Sequence, residues 1–321
     1  LSAADPAACV ARGLADLSGA LVTARRWSLI AAGKAAVPMA GACLAALPAR
    51  PARAMVAAPG VRSGGDGDVE YFAAGHPVPT EASLAAGRRA LEIAGGTSAD
   101  DLLVVLLSGG ASALLEAPAD GVTLADLQAT TTRLLRAGAD ITALNAVRKH
   151  LSCVKGGRLA AAAAGPVITL AISDVVGDDP AVIASGPTVA DPSTYADALA
   201  VLARFGGVDA YPRAVTDVLT QGRDGARPET PKAGGREEVR AGRGLTIQRM
   251  VELGRVSRPG FYRFDESAQP VPDPDMDLRD AIQRIALEWP SYGRPRITQE
   301  LRRRGWRVNP KRVYRLLRED N

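Results

Sequence analysis

Few residues in this chain have side chains that can grip a phosphate or move a proton, and they gather in short loops. Lys34 stands in AAGKAA; Ser108, Gly109, Gly110 and Ser112 stand in LLSGGASALL. Arg148 and Lys155 lie in NAVRKHLSCVKGGRLA, and Asp174, Asp178 and Asp179 in SDVVGDDPAVIASGP. A lysine ammonium is a compact charge suited to phosphate oxygens. Two glycines behind a strand let backbone approach a ligand, and a helix starting at Ser112 offers N–H groups to an anion. Carboxylates clustered at a strand end can hold Mg2+ or accept a hydroxyl proton. Residues 1–233 contain 16 Arg and four Lys, and three of those lysines, 34, 149 and 155, fall in these segments. Plainer readings exist: a tight Gly-Gly turn, a solvated lysine, a capping Asp. Capping explains one Asp well and three poorly, while His150 reads as a packed or capping histidine rather than a base. AAGKAA lacks the leading Gly and the following Ser or Thr of a Walker loop, and no GxGxxG occurs, which disfavours a P-loop NTPase and a nicotinamide-binding fingerprint.

Something must hold these loops together. Apolar runs at 27–32, 69–74, 102–107 and 167–172 each end in a small or charged turn and read as buried strands. Stretches 81–94, 124–137 and 143–164 return apolar residues every three or four positions and read as helices. The alternation predicts an α/β fold, a mostly parallel sheet with helices on both faces. Ligands of such sheets sit beyond the carboxyl ends of the strands, where all four loops would emerge. If the last helix continues through Gly156-Gly157, Arg148, Lys155 and Arg158 share one flank.

The chain has 321 residues, 47% apolar and 23% charged, which predicts about two folded domains. Residues 1–233 hold 20 Lys+Arg against 22 Asp+Glu, and residues 234–321 hold 19 against 13, so net charge moves from −2 to +6. Alanine falls from 56 to 4 across the same point, while 7 of the 13 aromatics lie in the shorter part. The expected organisation is an α/β domain at 1–233, a Gly- and Pro-rich linker at 234–244 and a small all-α region at 245–321. Cys9, Cys43 and Cys153 share no CxxC unit, which argues against a disulfide frame or zinc cluster and fits a reducing, cytoplasmic setting. The longest weakly polar stretch, 159–172, is 14 residues, short of the roughly 20 that a membrane helix needs. LSAADPAACV has no basic n-region before an apolar core and no initiating Met, so it reads as neither a secretory signal nor an obvious native terminus.

Six ordered segments, AAGKAA, AAGHPVPTEAS, LLSGGASALLEAP, NAVRKHLSCVKGGRLA, ISDVVGDDPAVIASGPTVADPST and ETPK, resemble the N-terminal part of the bacterial glycerate 2-kinases that carry a MOFRL domain. The likeness runs from about residue 3 to 232. It implies a Rossmann-like larger domain and transfer of a phosphoryl group from ATP, with Mg2+, to the 2-hydroxyl of D-glycerate. It also implies roles: Lys34 facing phosphate; Ser108, Gly109, Gly110 and Ser112 approaching phosphates or glycerate; and Arg148 and Lys155 meeting a carboxylate or phosphate. Asp174 or Asp179 would hold the metal or orient the hydroxyl, with Asp178 beside them. Members have often been labelled hydroxypyruvate reductases, the weaker option without a dinucleotide fingerprint. The family usually has glycine where this chain has Ala31 and Ala111, and its LSGGE, GRGGRN and DTDG motifs do not occur here. On that likeness the expectation is a truncated kinase with little or no activity.

In the basic part, 245–264 has helix-turn-helix spacing, and ten Lys+Arg stand against Glu300 alone between Arg294 and Arg318. Such density favours a polyanion through phosphate neutralisation. Arg303, Lys311, Arg312 and Arg315 are the candidate DNA contacts, with a helix from Pro310 entering a major groove. YGRPRITQELRRRGWRVNPKRVYRLLRED resembles the N-terminal helix-turn-helix region of insertion-sequence transposases with an integrase-like catalytic domain. Together the two resemblances imply a kinase portion fused to a transposase DNA-binding fragment. The alternative is a DNA-binding module with a passive kinase remnant, and a third is a product of gene decay.

Overall fold

A computed structural model describes residues 5–15, 24–47, 49–172, 179–232, 237–240, 275, 278–279, 281–282, 285, 294–306 and 308–319. The chain divides into two compact units, Leu1–Thr246 and Ile247–Asn321.

The first unit is built on a seven-stranded sheet. Its strands are β1 (Arg26–Ala32), β2 (Arg53–Ala58), β3 (Gly64–Asp66), β4 (Val69–Ala73), β5 (Asp101–Leu107), β6 (Val167–Ala171) and β7 (Glu237–Arg240). They lie in the order β3-β4-β2-β1-β5-β6-β7, and all pairings are parallel except the β3–β4 hairpin. Strands β1, β2, β5 and β6 are largely apolar because alternate residues serve opposite faces, both covered, whereas β3, β4 and β7 carry polar residues. Ile30, Ala32, Leu103, Val105 and Leu107 enter one buried cluster; Leu29, Ala31, Val104 and Leu106 enter the other. Helix α1 (Pro6–Ala15) and helix α2 (Ala36–Ala46) cover the second face, and α3 (Glu81–Gly95) with the short α4 (Ala111–Leu114) covers the first. Thr80 opens α3 with a capping box, its side chain and that of Ser83 each accepting from the other's backbone N–H.

A helical lobe rises beside the sheet from α5 (Leu124–Arg136), α6 (Ile141–His150), α8 (Tyr195–Arg204) and α9 (Arg213–Arg223); between them the one-turn α7 (Arg158–Ala161) precedes β6. Its own core joins Leu127, Leu134, Val147, Leu199, Leu202, Val215 and Leu219. Full burial of each such leucine or valine stabilises by about 1.5–3 kcal/mol.

Two expectations need correction. The helix expected over 143–164 ends at His150 with Leu151 as its C-cap, and beyond it Gly156 and Gly157 take positive φ, 61° and 81°, which no α-helix continues through. Arg148 and Lys155 therefore do not share a helical flank. The stretch expected to be linker contains β7, whose register runs from Val167↔Glu237 to Leu170↔Arg240. Four residues are too short to show a strand period, and backbone pairing alone decides the outcome.

In the second unit, α10 (Arg294–Arg303) and α11 (Pro310–Glu319) pack Ile297, Leu301, Val313 and Leu316 against Leu278, Ile282 and Ile285. The turn between them runs through Gly305 at φ 88°. The helix-turn-helix spacing expected at 245–264 lies outside the described residues.

Candidate functional site

The carboxyl ends of β1 and β5 are stitched together by their own loops. Ser108 N donates to Ala32 O at 3.0 Å, Lys34 N to Gly109 O at 2.9 Å, and Ala35 N to Ser108 Oγ at 3.0 Å. The seam requires glycine at position 33: a Cβ there would stand 2.0 Å from Ser108 Oγ, at φ +132°. Lys34 emerges from this seam exposed, ahead of α2. From the β4 side, the His76 ring covers Gly110, where an added Cβ would lie 2.7 Å from its Cδ2.

At Ser108–Ser112 the backbone has donors to spare. Ala111 N is taken by Ser108 O at 3.2 Å and Ala113 N by Gly110 O at 3.0 Å. The amides of Gly109, Gly110 and Ser112 donate to nothing among the described residues. Unpaired N–H groups at such a turn are the donor set that phosphate oxygens accept from.

Beside this turn Arg148 is half-buried, and its Nη2 donates to Ser112 O at 3.2 Å. Burial pushes its pKa below the ordinary arginine value, with Glu116 opposing. Ser112 Oγ meets Ser185 Oγ at 2.7 Å, and Ser185 Oγ donates to Asn145 Oδ1 at 2.9 Å. Ser185 sits in three successive left-handed residues, Ala184, Ser185 and Gly186, at φ 54°, 62° and 60°. Asn145 and Ser185 were not singled out by sequence reasoning; the small-residue turn Ala184-Ser185-Gly186-Pro187 was the signal available.

One candidate is buried. Lys155 is 1% exposed and gives its ammonium to buried Glu116 and to Leu115 O at 3.3 Å. Burial pushes its pKa down to about 8 against the pull of Glu116, with the Arg148 charge adding to the depression. Two of its three N–H donors thus have acceptors inside the protein. Glu116, its partner, also accepts from Ser152 Oγ at 2.7 Å. Asp179 accepts from Ala181 N at 2.9 Å, the capping role that its residue type also permits. Asp174 and Asp178 lie outside the described residues. No group of three His, Cys, Asp or Glu converges on a cation position among the described residues.

The other conspicuous charges form a buried knot. Lys149 Nζ meets Asp191 Oδ1 at 3.2 Å, and Thr230 Oγ1 donates to Asp191 Oδ2 at 3.0 Å. His150 Nε2 meets Glu229 Oε1 at 2.8 Å, and its Nδ1 meets Ala146 O at 2.7 Å. Burial opposes ionisation of Asp191, but hydrogen bonds from Ser193 and the Lys149 charge outweigh it and lower its pKa. These residues tie 191–194 and 229–232 to α6.

In the second unit, Arg312 and Arg315 both clamp Asp275, Arg315 Nη2 at 2.6 Å from Oδ2. Arg303 and Lys311 are exposed. Arg312 and Arg315 pair with Asp275 yet remain exposed, as Arg303 and Lys311 are, so all four side chains reach solvent.

The carboxyl edge of the parallel sheet thus presents Lys34 beside three amides that have no acceptor among the described residues. The family model described as "Domain of unknown function (DUF4147)" matches residues 1–220, and the chain belongs to that family. A model of an HTH-like domain matches residues 274–321. A putative hydroxypyruvate reductase of Agrobacterium vitis is 44% identical over 235 residues, 73% of this chain and 51% of that protein. A D-glycerate 2-kinase of Thermotoga maritima is 45% identical over 180 residues, 56% of this chain and 43% of the relative. A crystal structure of a glycerate kinase from Thermotoga maritima superposes with a TM-score of 0.67 at 37% identity, covering 78% of this chain and 57% of the other. The chain spans about half the length, or less, of the curated relatives it matches. No helix among the described residues is long and apolar enough to cross a membrane.

Proposed function

We propose that the first unit handles ATP and D-glycerate in a glycerate 2-kinase type of phosphoryl transfer. The observation that carries this is the set of free amides at Gly109, Gly110 and Ser112 with Lys34 on the adjoining loop. Phosphoryl transfer asks the protein for positioning and charge neutralisation rather than covalent chemistry. In the reaction the 2-hydroxyl oxygen bonds to the γ-phosphorus, the β–γ bridging bond breaks, the hydroxyl proton is released, and ADP leaves. Lys34 and the three amides would take phosphate oxygens, and Arg148 the glycerate carboxylate. Mg2+, when bound, would neutralise further phosphate charge. A reductase reading finds less support, since the β1–α2 turn is Ala32-Gly33-Lys34 with no GxGxxG.

The test separates binding from turnover in the full chain. ATP binding followed by calorimetry should weaken about tenfold or more in Lys34→Met, as expected for a lost charge-assisted contact. Equal ATP affinity in the two proteins, or none in the unaltered chain, overturns the proposal. The HTH-like match and the outward Arg303 and Lys311 support duplex DNA as partner of the second unit. Replacing either with Ser should reduce the slope of log K against log salt by about 1, and an unchanged slope for both would exclude them as phosphate contacts.

A further inference from the structure

The Ser112 hydroxyl ends a relay whose direction follows from the orientation of the Asn145 carboxamide. Asn145 is buried on α6, and its Oδ1 accepts from Ser185 Oγ. A carboxamide oxygen only accepts, so the Ser185 hydrogen is spent there. In the 2.7 Å contact between the two serines, Ser112 must then be the donor. Its oxygen keeps only lone pairs for whatever arrives. Two features show that the relay is not the most comfortable arrangement of this chain. Ser185 and Ala184 hold positive φ without being glycine, and Asn145 Nδ2 is buried with no hydrogen-bond partner among the described residues. Strain of this kind gathers where geometry serves a ligand.

An acceptor-only oxygen repels phosphate oxygens and attracts an O–H or N–H. Beside it the Arg148 guanidinium has one hydrogen bond, to Ser112 O, and forms no ion pair among the described residues. A cation next to a hydroxyl acceptor is complementary to a carboxylate that carries a hydroxyl on the adjacent carbon. We infer that Ser112, oriented by Ser185 and Asn145, accepts the 2-hydroxyl hydrogen of a small 2-hydroxy acid whose carboxylate pairs with Arg148. Ser112 is then the residue that discriminates for the hydroxyl, and Ser185 and Asn145 are positioning residues acting through it. The phosphate contacts fall to the amides of Gly109, Gly110 and Ser112, so one residue serves both ligands through different atoms. This assignment rests on the proposed glycerate site.

The experiment compares D-glycerate with 3-hydroxypropanoate, which lacks the 2-hydroxyl, by calorimetric titration of the full chain. The unaltered protein should prefer D-glycerate about tenfold, the contribution of one good hydrogen bond. Ser112→Ala and Ser185→Gly should each bring that preference within about twofold of unity while leaving 3-hydroxypropanoate affinity nearly unchanged, which also shows that the variants are folded. A purely structural serine would alter stability without changing the ratio of the two affinities. If D-glycerate binds and both variants keep the preference, the relay is refuted and the glycerate site stands. If the unaltered chain binds no D-glycerate at tens of millimolar, the glycerate site itself fails and the relay with it.

Discussion

Replacing Lys155 with Met isolates the buried ion pair beneath the site. Lys155 and Glu116 are 1% and 3% exposed, so neither charge has water to fall back on. Methionine keeps the length of the lysine stem, so the cavity contribution is small and the change is mainly electrostatic. Removing one partner of such a pair costs about 3–5 kcal/mol, because the carboxylate remains buried with only neutral donors. Those donors are Ser152 Oγ at 2.7 Å and Ala117 N at 3.1 Å. At roughly 2–4 °C per kcal/mol for a domain of this size, Tm should fall by about 10 °C. Urea unfolding of the full chain, followed by far-UV circular dichroism, gives the free energies for Lys155→Met, Glu116→Gln and the double variant. The double variant should recover about 2 kcal/mol relative to additivity, since the stranded charge is gone. A loss under about 1 kcal/mol for Lys155→Met, or additive effects, would show that Lys155 is not committed to Glu116 and would reopen a ligand role for it.

Two further outcomes follow from the same geometry. Gly33→Ala should destabilise by roughly 2–4 kcal/mol, from an unfavourable φ together with overlap on Ser108; a melting curve indistinguishable from that of the unaltered chain would mean that the β1–β5 seam is looser than described. The lowered pKa of Asp191 stabilises the fold above the ordinary carboxylate value and is lost as pH falls through the folded value. The stability gap between the unaltered chain and Asp191→Asn should therefore be widest near neutrality and close below about pH 4, and a gap that is constant with pH would contradict the Lys149–Asp191 pairing.

What the sequence discloses tracks how local the cause is. Strands β1, β5 and β6 announce themselves because burial on two faces leaves a nearly continuous apolar run followed by a turn, and β4 by Val69, Tyr71 and Phe72 around a partly buried Glu70. Strand β2 is masked by alanine, which suits a helix as well, and β7 is too short to carry a period. Loop chemistry at Lys34 and at Ser108–Ser112 is legible because the spacing itself places it at a strand end. The fate of a charge is not: Lys155 is committed by a residue 39 positions earlier, and Arg312 and Arg315 by one 37 and 40 positions away. A basic side chain spent on an internal carboxylate looks, in one dimension, the same as one offered to a ligand. Asn145 and Ser185 were invisible for the same reason, since their meeting is made by α6 and the 183–185 turn folding onto one spot.

The knot at Asp191, Thr230 and Glu229 fastens the two feet of the α8–α9 excursion to the same turn of α6. Topologically that excursion is a closed bight, entering and leaving the domain through one point. Residues added to or removed from its far end alter the outer contour of the lobe but leave the gap between its feet as it is. Divergence in this region of the family can therefore accumulate as changes in lobe size while the strand ends that bear the chemistry remain in step.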